Sequence, residues 1–242
     1  QMGTTGPMSV LGTSILNMAE LLSAVVLFQL AAPGCAMVSA VGSAVAEMRS
    51  GLYLSGTPED GLINMTCIEM SKFYGLRSQG SAVSCDAKAC DLQAGAEGML
   101  TGLATALAGA DVMLAFGLMD SAQTCSLAKT VLDADTVNAI ERFLRDDPID
   151  EARSLVDDII KVGVGGHFLG CKSTRQFQRA GELWQPHLWR RGTFDQYVGT
   201  PLVQDAWDRA HQLIEENDVP PLPEDVQRHV SKLIAGYLTG RS

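Results

Sequence analysis

Between Gly80 and Gly98 the chain reads GSAVSCDAKACDLQAGAEG, and Asp86, Lys88, Asp91 and Glu97 stand in a stretch that is otherwise small and apolar. Carboxylates and an amine set so closely can bind opposite charge or move a proton, so Asp86 and Lys88 are read as the catalytic pair. Cys85 and Cys90 add a C-x4-C spacing, but a zinc site would need at least one further ligand from far along the chain. Similar polar breaks recur at Glu47 to Arg49, at Asp120 beside Phe116, and at His167. Each has a plain structural alternative. Asp86 can cap a helix starting near Lys88, with Asp91 complementing its dipole; Phe116 can be core, Arg49 a surface pair, His167 a hydrogen-bonded loop residue, and the cysteines small buried hydrophobes.

What must position these residues is legible in the apolar pattern. Runs such as Cys35 to Val41 and Val112 to Phe116 are continuous rather than alternating, as in parallel strands covered on both faces. Taking Pro7, Gly42, Ser81 and Gly117 as strand ends gives spacings of 35 to 39 residues, one βα unit each. Thr57-Pro58-Glu59-Asp60 signals a helix start, and Gly75 ends that helix after Tyr74. Leu127 to Leu144 reads as another helix, and Ala152, Leu155, Val156, Ile159 and Ile160 fall on one helical face that the Gly163 to His167 turn closes. The fold expected is α/β, a (β/α) barrel of the TIM type. Only four strand ends are countable against the eight of a closed barrel, so the chain reads as half of one. Residues 1–170 would form that half. Residues 171–242, with their tryptophans and prolines, would form a helical C-terminal extension packed on it. Strand-end loops build the active site of such a barrel, and the polar breaks at 47–49, 84–91 and 120 fall there.

Composition narrows the function classes. The chain has 242 residues, 46% hydrophobic and 19% charged, which suits a compact globular protein. A formal charge of -10 without any Lys/Arg block argues against nucleic acid. Leu21 to Leu30 is an apolar run of ten residues against the roughly 20 that a membrane span needs, and Gly98 to Gly117 reads as a buried helix followed by a strand, so no membrane association is expected. Six scattered cysteines fit reduced thiols in a cytoplasm.

The ordered set Gly3-Thr-Thr-Gly-Pro-Met-Ser-Val-Leu-Gly, Asn17-Met-Ala-Glu-Leu-Leu, Gln29-Leu-Ala-Ala-Pro-Gly, Gly56-Thr-Pro-Glu, Asp86-Ala-Lys with Asp91-Leu-Gln-Ala-Gly-Ala-Glu97, Leu132-Asp133, Val162-Gly-Val-Gly-Gly-His-Phe-Leu and Trp184-Gln-Pro resembles the trimethylamine corrinoid methyltransferase family, in its C-terminal half. The resemblance implies a barrel that moves a methyl group from a methylated amine, trimethylamine or a quaternary amine such as glycine betaine, to the cobalt of a corrinoid carried by a partner protein. It implies no metal bound by this chain itself. Some members carry pyrrolysine near the position of Ser84 to Lys88; none is written here, and members without it include enzymes for quaternary amines. On this reading Glu47, Asp86 and Asp120 face the cation, Phe116 or Tyr53 offers a π face, and Arg49, Lys88 or His167 meets a substrate carboxylate. Docking of the corrinoid protein is expected at the strand-end loops and the Trp184 to Trp207 segment. Open sheet edges call for a partner, either the missing half or a second copy. Two other readings stay open: a zinc-assisted barrel enzyme, and a truncated half-barrel that binds without turnover.

Overall fold

In the computed structural model, which describes residues 1–238 apart from 198, 200 and 218, helices alternate with short strands as far as residue 144. Residues 239–242, the end of the expected extension, lie outside the described residues. An extended start at Met2 bridges Val45 in parallel, its N–H donating to the Ala44 carbonyl at 2.9 Å. Then come α1 (Val10–Ala31), β1 (Val38–Val41), a hairpin of β2 (Val45–Ala46) and β3 (Tyr53–Leu54), and α2 (Pro58–Phe73). After these follow β4 (Arg77–Ser81), α3 (Leu92–Leu107), β5 (Val112–Leu114), a second hairpin of β6 (Leu118–Met119) and β7 (Thr124–Cys125), and α4 (Leu127–Leu144). β1, β4 and β5 form a parallel sheet in that order, with Val38 opposite Arg77 and Gln79 opposite Val112. Successive strands are therefore neighbours, and a helix lies between each pair. The result is a helix-rich α/β fold with parallel strands, compatible with a partial barrel.

Local chemistry accounts for the helices. The Thr57 hydroxyl accepts the Asp60 N–H at 3.2 Å, with Pro58 in the first turn. Ser126 caps α4 through the Lys129 N–H. Ser9 caps α1, which runs for 22 residues and is long and apolar enough to cross a membrane by length and composition. The ten-residue run seen in the sequence is only its second half, because Thr13, Ser14 and Asn17 hide the helix's apolar character ahead of it. Its inner side packs through Met18 and Leu21 against Ile63 and Cys67 of α2.

Three expectations need correction. No strand ends at Pro7, since Met2 makes only isolated bridges to Gly6 and Val45. The apolar strands are not covered on both faces: Ser39 meets Ser71 of α2 at 2.7 Å, whereas Val38, on the opposite face, is 53% exposed. Along β1 burial alternates accordingly. The single helix expected through 152–160 is broken at Leu155, whose φ of +50° separates α5 (Glu151–Ser154) from α6 (Val156–Val162). Asp150 and the acids Asp157 and Asp158 each favour a helix start, so two short helices replace one.

Beyond residue 170 lie α7 (Lys172–Arg179), a 3-10 turn at Phe194–Gln196, α8 (Leu202–Glu216) and α9 (Glu224–Leu238). The buried Asp135 carboxylate of α4 fastens this region. It accepts the consecutive N–H groups of His187, Leu188 and Trp189 at 2.9, 2.6 and 3.0 Å.

Candidate functional site

Apart from His167, the polar groups singled out in the sequence lie on the segments that follow the parallel strands. After β1 the chain turns through the β2–β3 hairpin, where the half-buried Glu47 accepts the Arg49 N–H at 3.0 Å and leaves Arg49 exposed at the tip. After β4, Val83 adopts φ +51°, a left-handed conformation that is rare for a β-branched residue. Its side chain is packed on the glycines of α3: a Cβ at Gly102 would come within 3.1 Å of Val83 Cγ1. The chain then runs into Ser84, Cys85 and Asp86.

Asp86 does not cap a helix. Its two carboxylate oxygens accept the N–H groups of Ser55 and Gly56, at 2.9 and 3.1 Å, while its own N–H donates to Glu97 at 2.7 Å. Asp91 is the cap of α3, accepting from Gln93 and Ala94. The Ser84 hydroxyl also donates to the Ser55 carbonyl at 2.7 Å, so the segments after β3 and β4 are tied side by side. The loop after β5 joins them: the Asp120 N–H donates to the Ala87 carbonyl at 3.1 Å, and the Lys88 ammonium pairs with the Asp120 carboxylate. Asp120, Ser121 and Ala122 all have positive φ, and Ala115 and Gly117 on either side of the half-buried Phe116 do as well. The structure thus brings Asp86, Lys88 and Asp120 together. Glu47 and Arg49 stand on the next hairpin along. His167 lies exposed in the turn between α6 and α7, and no hydrogen bond or ion pair joins it to the others.

Groups that sequence reasoning passed over lie directly behind. Asp60 in the first turn of α2 is fully buried; Asn64 donates to its Oδ1 at 3.0 Å, and its Oδ2 has no partner. Burial, then the Asp86 charge, pushes its carboxyl well above the usual carboxylate range. Burial and the charges of Asp60 and Asp86 likewise raise Tyr53. Lys129 and Asp133 on α4 form a buried ion pair at 2.6 Å. Burial pushes Asp133 upward and the Lys129 ammonium opposes it. Both pairs, Asp60 with Asn64 and Lys129 with Asp133, are polar partners four residues apart on the buried side of a helix. The only sequence signal was a charged residue at a position the apolar period assigns to the core.

Cys85 and Cys90 point inward with Ala87, Ala94 and Met119, and burial lifts the Cys85 thiol to about 11. The Cys90 sulfur lies 3.8 Å from the Met119 sulfur. Among the described residues no group of three His, Cys, Asp or Glu gathers as a metal site. Trp184 and Trp189 stack edge to face at 5.4 Å, Arg191 lies over Trp184, and Arg190 pairs with Asp205. These side chains are engaged in holding the extension together. A 730 Å³ cleft and a 520 Å³ cavity occur where the extension meets α3 and α4, and neither is lined by Asp86, Lys88 or Asp120.

Comparison with known proteins places this geometry in context. The model of a family described as trimethylamine methyltransferase matches residues 1–237. The chain is 30% identical over 235 residues to the trimethylamine methyltransferase MttB of Methanosarcina barkeri, covering 96% of this chain and 47% of that protein. It is 33% identical over 238 residues to the glycine betaine methyltransferase of Desulfitobacterium hafniense, covering 96% and 49%. The chain thus spans about half the length of the curated relatives it matches.

Proposed function

The chain belongs to the trimethylamine methyltransferase family, and from that premise we propose that it forms the C-terminal half, residues 1–170, of a (β/α) barrel of the TIM type, with residues 171–242 as a helical extension. In the whole protein this half moves a methyl group from a methylated amine to the cobalt of a corrinoid held by a cognate partner protein in the cytoplasm. The observation that carries the reading is the linkage of Asp86, Lys88 and Asp120 across the segments that follow β4 and β5. It sets two carboxylates at the carboxyl ends of parallel strands, where a βα barrel does its chemistry.

The corrinoid, when docked, would supply a cobalt nucleophile. Everything else falls to the chain. Asp86 and Asp120, with Glu47 at the neighbouring hairpin, favour a positively charged amine, and Phe116 or Tyr53 adds a π face. Lys88, already paired with Asp120, and Arg49 can orient a substrate carboxylate. For a quaternary ammonium the N–C electron pair leaves with a neutral amine, so no acid is required, and holding nitrogen, methyl and acceptor in line is most of the task. For trimethylamine the departing nitrogen needs a proton, a demand these residues meet less directly. With no pyrrolysine in the sequence, a quaternary amine is the favoured substrate class. An acceptor carried by another protein needs an open approach, and the Lys88 side chain is 63% exposed at this edge. We read α1 as a barrel helix covered by the missing half and not by lipid, since Glu20 lies mid-helix.

The test is to express the chain together with the coding sequence upstream of Gln1 and to follow release of the demethylated amine in the presence of reduced cobalamin. Turnover with glycine betaine exceeding that with trimethylamine is expected. No release from either amine, with a folded protein, would overturn the reading.

A further inference from the structure

Lys129 and Asp133 touch more than each other. The Lys129 ammonium donates to the Val83 carbonyl at 2.6 Å, and Asp133 Oδ2 accepts the Gly117 N–H at 2.8 Å as well as the ammonium at 2.6 Å. Val83 opens the segment that carries Asp86 and Lys88, and Gly117 opens the one that carries Asp120. Both contact points are left-handed, at φ +51° and +78°. For the β-branched Val83 this is not a preferred conformation, and both the Val83 carbonyl and the Gly117 N–H would be buried orphans without the pair. Gly117 leaves no slack either: a Cβ there would fall 2.2 Å from Thr130 Oγ1 and 3.0 Å from the Ser126 carbonyl, both on the start of α4. One turn of one helix therefore holds two strand-end loops by four polar groups in series, Val83 O, Lys129 Nζ, Asp133 Oδ2 and Gly117 N.

We propose that Lys129 and Asp133 are positioning residues that fix the loops after β4 and β5 relative to each other, and so set the separation of Asp86, Lys88 and Asp120. This rests on the reading of those loops as the reactive site. A buried ion pair contributes little net stability when compared with apolar residues of the same volume, so its presence here is accounted for by the geometry it imposes. Both side chains are almost wholly buried, at 3% and 7% exposure. A 520 Å³ cavity borders the pair on the side of Trp189 and Leu202.

Hydrogen exchange in the full chain separates this role from plain packing. Lys129→Met should raise amide exchange at least tenfold within 83–90, and Asp133→Leu should do so first within 115–122, while amides of α2 stay within twofold of the parent. Lys129→Gln keeps a donor for the Val83 carbonyl without charge and should give a three- to tenfold rise in the same segment; it serves if Lys129→Met does not fold. In the methyl-transfer assay, kcat should fall at least tenfold with KM within threefold. Uniform exchange increases across α2, α3 and both loops, or unchanged loops, would overturn the proposal. The exchange arm reads the clamp even if no methyl transfer is found, so the failure of one reading is distinguishable from failure of the other.

Discussion

Asp86 accepts two backbone N–H groups with its two oxygens, and this makes asparagine a poor replacement. An amide offers one acceptor and would turn its NH2 toward a second donor. Asp86→Asn should therefore cost about 2 kcal/mol in denaturant titration, the scale of a lost hydrogen bond to a charged group, besides lowering turnover. Equal stability would mean that these bonds carry nothing. As a helix cap Asp86 would have tolerated Asn, so the substitution separates the position seen here from the one the sequence suggested. The sequence could place a charge at a strand end. It could not say that Ser55 and Gly56, 31 and 30 residues earlier, would take it up, because that pairing depends on two segments distant in sequence lying side by side. Asp60 invites a second measurement. Its carboxyl is raised above 3.8 by burial, so the folded state binds the proton more tightly than the unfolded one. Stability is then highest below the unfolded value and declines as pH rises from about 4 through the raised one. Asp60→Asn should flatten that decline, read as a smaller loss in unfolding free energy as the pH is raised above about 4; an unchanged slope would place the titration elsewhere.

At the scale of elements, α2 and α4 were readable because their caps are local: Thr57 and Ser126 each reach a backbone N–H three residues on. α3 starts at Leu92 because Asp91 caps it, and Ala87 to Cys90 are left for the loop that meets Asp120. Where an element depends on distant partners the sequence was silent, as at the strained turn at Val83. The fastening of the extension is of this second kind. Asp135→Ala would leave three consecutive N–H groups unmatched, so a loss of about 3 kcal/mol is expected. Its signature should be local, with fluorescence of the tryptophans shifting to the red and proteolysis near 180–190 at denaturant concentrations that leave the sheet intact. Cooperative loss of both together would mean that the extension and the sheet form one unit.

The whole molecule shows apolar surface on two sides, with Val38, Val112 and Leu114 on strands and Leu11, Ile15 and Leu27 on α1 all more than 40% exposed. Parallel sheets are ordinarily covered on both faces, so the chain should be found paired, with a preceding half or a second copy; a stable, monodisperse monomer in sedimentation would contradict this. Spacing alone located the parallel strands that end at Val41, Ser81 and Leu114 to within three residues, because βα units repeat regularly. Asp135 has a consequence in time. Each parallel strand pairs with the one before it in the sequence, but the carboxylate meets N–H groups 52 to 54 residues further on, a long loop to close. All three tryptophans, Trp184, Trp189 and Trp207, lie in the segment that waits for this closure. On refolding, far-ultraviolet ellipticity should recover first and tryptophan emission after it, so that two ordinary optical signals date the docking of the extension against the formation of the sheet beneath it.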